Sequence, residues 1–250
     1  MSEALAAAFA TEGLWFLAFG ALVAGLVRGF SGFGNAMVYL PVAGQVLGPF
    51  EALTSLVVME VTAPLIHVPR ALKDGHPGDV LRLSLGALLA VPFGVFVLSI
   101  IERETFRWGV STVALIALVI LITGFRYRGE LTKPLIYVTG ALGGFLGGSV
   151  GIPGPPIIVL YMASTLPPAA IRANNTLYLI AADIILLGVL LIGGVLVVSA
   201  LAVGGLMVVP YLLGNYLGAR MFRPEAERLY RRIAYAIIAA SAITGLPIWD

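Results

Sequence analysis

The chain has 250 residues, of which 60% are hydrophobic and 11% charged, with a mean hydropathy of +1.02. Soluble domains carry roughly 45–50% apolar and about 25% charged residues, so this chain cannot cover a globule with polar groups and a soluble fold is excluded. Its net charge of +2, absence of cysteine and two histidines argue against a nucleic-acid face, disulfides, a cysteine nucleophile and a His-rich metal site.

The apolar runs come in an order that repeats. The N-terminus lacks basic residues and carries Glu3 and Glu12, which is not a typical secretory signal. Segment A is expected over Leu14 to Val27, ending at Arg28. A glycine-rich break, Gly29-Phe30-Ser31-Gly32-Phe33-Gly34, separates it from segment B, Asn35 to Leu47. Segments C (Phe50 to Val68), D (Leu83 to Ile101) and E (Phe106 to Phe125) follow, with polar joints between them. The pattern then restarts. A′ runs from Pro134 to Leu146, its break spans Gly147 to Gly154, and B′ is Pro155 to Thr165. C′ is Ala169 to Ile192, D′ is Ala200 to Ala219 and E′ is Ile233 to Leu246. Gly20-Ala21-Leu22 matches Gly140-Ala141-Leu142, Val91-Pro92 matches Val209-Pro210, and Thr123-Gly124 matches Thr244-Gly245. The chain therefore reads as two repeats, residues 1–128 and 129–250, forming one integral domain.

A and B are each short for a span, which takes about 20 apolar residues. They form either a hairpin that enters and returns or one broken crossing. With hairpins, twelve of the fifteen basic residues share one face, among them Arg70, Arg82, Arg126, Arg128, Lys133, Arg172, Arg220 and Arg223. Only Arg103 and Arg107 then lie opposite, with Arg28 inside. A single crossing splits the charges almost evenly, so the positive-inside rule selects hairpins. Each half then crosses an odd number of times, both termini lie outside the cytoplasm, and the repeats have inverted topology. The fold class is an all-α polytopic membrane protein of two inverted repeats, each a broken-helix pair followed by three transmembrane helices. Inverted repeats with matching interruptions are common in secondary transporters, whose sites sit where the helices break.

At the two breaks the sequence resembles the sulfite exporter TauE/SafE family of membrane transporters. The residues that carry the resemblance are Gly25-Leu26-Val27-Arg28-Gly29-Phe30-Ser31-Gly32-Phe33-Gly34 and Gly143-Gly144-Phe145-Leu146-Gly147-Gly148-Ser149-Val150-Gly151-Ile152-Pro153-Gly154-Pro155-Pro156. Asn35 and Pro153 stand where many relatives carry glycine. The resemblance implies a multi-pass protein of a bacterial-type cytoplasmic membrane that moves sulfite, sulfonates or related organosulfur anions without a cofactor. It implies no enzyme activity. The partners are the anion and the lipid bilayer, with a homodimer as one open arrangement. Import by the same fold and an anion channel remain the alternatives to export.

Arg28 is the leading candidate for the site. An arginine inside an apolar segment is costly unless an acid, carbonyls or an anion offsets it, and a guanidinium fork bonds two oxygens of a sulfite or sulfonate at once. A structural ion pair and snorkelling are its plainer roles. Ser31, Gly32, Phe33, Gly34 and Asn35 complete the first break, where the N-terminus of helix B favours an anion. Ser31 and Asn35 are also ordinary caps. Pro155 and Pro156 remove donors from B′, so Ser149 and Gly151 at the second break supply shape more than hydrogen bonds. Asn174, Asn175 and Tyr178 lie early in C′, where helical spacing puts Asn175 and Tyr178 on one face. They either bind substrate or tie helices together. Glu60 and Asp183 are acids inside apolar segments, suited to a proton relay or to neutralising Arg28. His67 reads as an ordinary hydrogen-bonding residue near a helix end.

Overall fold

The computed structural model describes residues 2–62, 68–124, 131–162, 164, 166–221 and 226–249. His67, Arg126, Arg128 and Arg223 lie outside the described residues, as do the expected ends of segments E and B′ at Phe125 and Thr165. Among the described residues the chain is all helical: α1 (Ser2–Phe9), α2 (Leu14–Ser31), α3 (Asn35–Val46), α4 (Pro49–Thr62), α5 (Val68–Asp74), α6 (Pro77–Ile100), α7 (Arg103–Thr123), α8 (Lys133–Val150), α9 (Gly154–Met162), α10 (Pro168–Ile192), α11 (Val198–Met221) and α12 (Glu227–Thr244). Five of these, α2, α6, α7, α10 and α11, are long and apolar enough to cross a membrane. The protein is a polytopic α-helical membrane protein.

Several helices outrun their apolar stretches, because backbone hydrogen bonding does not stop where hydropathy does. Helix α6 starts at Pro77, where proline suits a first turn whose N–H needs no partner. Helix α12 starts six residues before Ile233. Helix α5, absent from the sequence expectation, occupies what reads as a polar joint; its Ala71 packs with Ala173 and Leu177 of α10. The breaks are also shorter than the glycine content suggests. Helix α2 continues through Gly29 to Ser31, and α8 through Gly147 and Gly148 to Val150.

The reason for that continuation is tertiary. The chain forms two compact units that each draw on both sequence halves: residues 1–59, 102–119 and 196–250 make one, and residues 60–101 and 120–195 the other. In the first unit α2 lies against α11. A Cβ on Gly214 would stand 2.1 Å from the Leu22 carbonyl oxygen, and one on Gly218 would stand 2.3 Å from that of Leu26. Gly25 and Gly29 face the Tyr211 and Asn215 carbonyls just as closely. Residues four apart on one helix meet residues four apart on the other in the same direction, so the two helices run parallel. In the second unit Gly140, Gly144 and Gly148 of α8 meet Leu83, Ala87 and Val91 of α6, again in parallel register. Such small-residue rows let helix backbones touch within a bilayer, where apolar burial alone does not drive association. Gly29 and Gly148, which read as parts of the breaks, are thus contact points within helices.

In the first unit one end gathers four helix termini. A Cβ on Gly13, before α2, would lie 3.0 Å from Val46 at the end of α3. Arg103 at the start of α7 donates through Nε to the Gly44 carbonyl at 3.1 Å and through Nη2 to that of Gln45. Arg107, only 7% exposed, donates to the Gly245 carbonyl at 3.2 Å, past the end of α12. Helix α3 therefore returns to the end from which α2 departs. Arg103 thus bonds carbonyls of the last turn of α3 and Arg107 those just beyond α12, both at helix C-terminal ends where positive charge is favoured.

Arg107→Leu is accordingly expected to destabilise the protein by about 1.5–3 kcal/mol, the usual worth of a hydrogen bond to a charged group. A thermal unfolding curve and faster hydrogen exchange at the end of α12 would show it. Unchanged exchange there would remove the capping role.

Candidate functional site

The first break is three residues long. Gly32 and Gly34 both adopt positive φ, 80° and 87°, a conformation that L side chains rarely take. The Gly32 N–H closes α2 by donating to the Arg28 carbonyl at 2.8 Å. Ser31 reinforces this turn, with its hydroxyl 2.6 Å from the Val27 carbonyl oxygen and 2.9 Å from that of Phe33. Arg28 is thus in the last turn of an 18-residue helix rather than past the end of a shorter one. Its side chain is half-buried within the protein. Gly29, one residue on, packs beside Asn215 and Ala219, close to the end of α11.

Across the break the guanidinium meets α3. Arg28 Nη1 donates to Asn35 Oδ1 at 2.9 Å, and Asn35 Nδ2 donates to the Tyr211 hydroxyl at 3.3 Å. Asn35 is 4% exposed. It is the first residue of α3 rather than its cap, which is Gly34. Because Gly34 has no side chain to satisfy the first-turn amides, the positive end of α3 is left with its first intrahelical bond at Val38 N–H to the Gly34 carbonyl. A cation, a partly positive helix end and an amide therefore share one small volume. That combination suits a compact anion. Phe30 packs its ring 5.8 Å from that of Tyr230, and Phe33 is half-buried.

The second break is differently built. Gly151, at φ 73°, donates to the Gly147 carbonyl and Ile152 N–H to that of Leu146, a paired C-terminal cap. Ser149 spends its hydroxyl on the Phe145 carbonyl at 2.8 Å. Prolines 155 and 156 fill the first turn of α9. The Ser149 hydroxyl and the Gly151 and Ile152 amides of this break are thus all engaged in closing α8.

Farther along the second unit, Asn174 and Tyr178 have structural partners. Asn174 Oδ1 accepts from the His76 N–H at 2.7 Å, ahead of α6. The Tyr178 hydroxyl donates to the Gly140 carbonyl at 3.3 Å. Asn174 Nδ2 and the Tyr161 hydroxyl are buried side by side, and Asn175 Oδ1 is buried with no hydrogen-bond partner among the described residues. Glu60 and Asp183 are 7% and 5% exposed, and both interact with neighbours. Both belong to the second unit, while Arg28, Ser31 and Asn35 belong to the first.

One participant, Tyr211, and one buried polar pair elsewhere in the first unit escape the sequence reading. Tyr211 completes the Arg28–Asn35 chain, and its only sequence signal is its place beside the repeated Val209-Pro210 pair. Tyr39 pairs with Ser55 at 3.0 Å inside the first unit; a tyrosine in an apolar run gives no hint of its partner.

Comparison with curated proteins and with solved structures finds no match. Among protein families, the model described as Sulfite exporter TauE/SafE matches residues 17–244, a stretch that includes both breaks and both glycine rows. The chain belongs to the sulfite exporter TauE/SafE family of membrane transporters.

Proposed function

We propose that this protein is a secondary transporter that exports a small sulfur-containing anion, such as sulfite or an organosulfonate like sulfoacetate, across a cytoplasmic membrane by alternating access. The observation that carries the reading is Arg28 held by Asn35 across the first break. Asn35, itself steadied by Tyr211, aims the guanidinium, and the start of α3 adds its partial positive charge. Ser31, Gly32, Phe33 and Gly34 shape the turn that brings these groups together. Ser149, Gly151, Asn174 and Tyr178 contribute in the second unit chiefly by holding its helices, and Asn175 stands next to Asn174 with its amide oxygen open to substrate. Export of an anion is favoured by an inside-negative potential, worth about 2.3 kcal/mol per charge per 100 mV.

The inverted-repeat reading, with residues 1–128 and 129–250 as its halves, is supported by the helix pairs. Segment A of one half lies parallel to segment D of the other in both units, through equivalent glycines. The ends of the first unit support non-cytoplasmic termini. Trp15, Trp108 and Trp249 are exposed at the end where Arg103 and Arg107 cap helices, as residues of an aromatic belt are. Arg220, Arg228 and Arg232 are exposed at the other.

Purified protein is expected to gain thermal stability with sulfite or sulfoacetate and not with taurine, which carries a compensating ammonium. Saturable, potential-dependent flux of the stabilising anion in proteoliposomes then separates a carrier from a channel. A steady unsaturable current, or no stabilisation by any sulfur anion, would overturn the proposal. Proton coupling through Glu60 or Asp183 predicts that Glu60→Gln or Asp183→Asn abolishes the dependence of flux on a pH gradient. Unchanged dependence in both variants removes that element.

A further inference from the structure

The sequence from Arg220 to Arg232 is the most basic stretch of the chain, with five arginines against Glu225 and Glu227. Its described part is held in a defined shape. The Tyr230 hydroxyl donates to the Met221 carbonyl, which ties the first turn of α12 to the end of α11. The same tyrosine packs on Phe30 beside the first break. Arg220 lies with its guanidinium 5.3 Å from the Tyr216 ring centre. Arg231 is engaged by Tyr235. Among the described residues, no acidic side chain forms an ion pair with Arg220, Arg228 or Arg232.

What distinguishes this patch from a solvated basic face is the apolar surface attached to it. On α11, Val209, Leu213 and Tyr216 are 70%, 52% and 56% exposed and lead at helical spacing to Arg220. On α12, Ile243, Ile233 and Leu229 are exposed along one face that ends at Arg232 and Arg228. Two apolar stripes thus run toward arginines at the same end of the unit. Acyl chains fit the stripes and a phosphate fits the guanidinium groups. A free anion would use only the second of these features.

We infer that Arg220, Arg228 and Arg232 form a binding site for the phosphate headgroup of an anionic phospholipid, with its chains along α11 and α12. Basic pockets between transmembrane helices are suited to such headgroups, and Arg binds phosphate through two parallel hydrogen bonds. Tyr230, in the same turn of α12 as Arg228 and Arg232, packs on Phe30 at the end of α2 that carries Arg28. The inference depends on membrane insertion and not on the identity of the transported anion.

The test uses the full chain in detergent with added phosphatidylglycerol or phosphatidylcholine, read by thermal unfolding and by lipid retention in native mass spectrometry. Phosphatidylglycerol is expected to raise the Tm by several degrees and to stay bound, and phosphatidylcholine is expected to do neither. The combined variant Arg220→Gln, Arg228→Gln, Arg232→Gln should weaken retention by about a hundredfold, at roughly a factor of five per arginine. Stabilisation by sulfite should survive in that variant. If the variant does not fold, Arg228→Gln alone should lose about fivefold, and added salt should strip phosphatidylglycerol from the unaltered protein. Equal retention of both lipids, undiminished retention by the variant, or displacement of phosphatidylglycerol by sulfite or inorganic phosphate at the patch would overturn the inference. The last result would make the patch a collector of free anions.

Discussion

Arg28→Ala is expected to abolish sulfite or sulfonate stabilisation and transport while leaving a folded, monodisperse protein. The side chain is half-buried at a helix end, and its loss removes polar contacts, the hydrogen bond to Asn35 among them, rather than a packed apolar core residue. Removing one partner of a desolvated hydrogen-bonded charge pair costs about 2–5 kcal/mol. At 1.4 kcal/mol per tenfold, the Kd should rise at least about 30-fold. Arg28→Lys keeps the charge but not the planar fork, so it should fall between the two. Calorimetric titration of the anion that stabilises the parent protein measures all three. Unaltered affinity in Arg28→Ala would place the site elsewhere, whatever the protein transports.

Two glycines of α11 should behave oppositely, and this contrast tests the packing. At Gly214 a Cβ would stand 2.1 Å from the Leu22 carbonyl oxygen, and the obstacle is backbone that cannot rotate aside. Gly214→Ala must push α2 and α11 apart and should cost about 3 kcal/mol or more, the upper range for overpacking. At Gly205, on the same helix, a Cβ would meet nothing within 4 Å. Gly205→Ala should therefore be neutral or stabilising, by up to about 1 kcal/mol from helix propensity. Retention of the folded fraction on heating in detergent compares them. Equal tolerance at both positions would contradict the parallel α2–α11 contact.

The same glycines show where sequence reading reaches its limit. Gly25, Gly29, Gly214 and Gly218 look alike in a list of residues, and a run of glycines near Arg28 reads as a broken helix. Whether a glycine interrupts a helix or serves as a flat contact depends on what lies opposite. Asn215 and Leu26 are far from their partners along the chain. Gly32 and Gly34 do form the break, because there the backbone takes positive φ, and among the described residues a Cβ on Gly32 would meet nothing within 4 Å. Asn35 is a similar case. Its position at a helix start suggests a cap, but its amide is taken by Arg28 and by Tyr211, 176 residues away. Asn174 and Tyr178 read equally well as ligand-binding or structural. Their bonds to the His76 N–H and the Gly140 carbonyl give them structural work.

The chain's own order of residues settled that this is a multi-pass helical membrane protein, the neighbourhood though not the bounds of its discontinuities, and to which transporter family it belongs. Those features follow from hydropathy, glycine and proline chemistry and a local motif, all of which act over a few neighbouring residues. Tertiary structure alone decided that α2 pairs with α11 and α6 with α8, that Arg28 is held by Asn35 and Tyr211, and that Arg103 and Arg107 close the ends of other helices. These depend on which backbones approach closely enough to touch. Such contacts join residues too far apart in the chain for any periodicity to record.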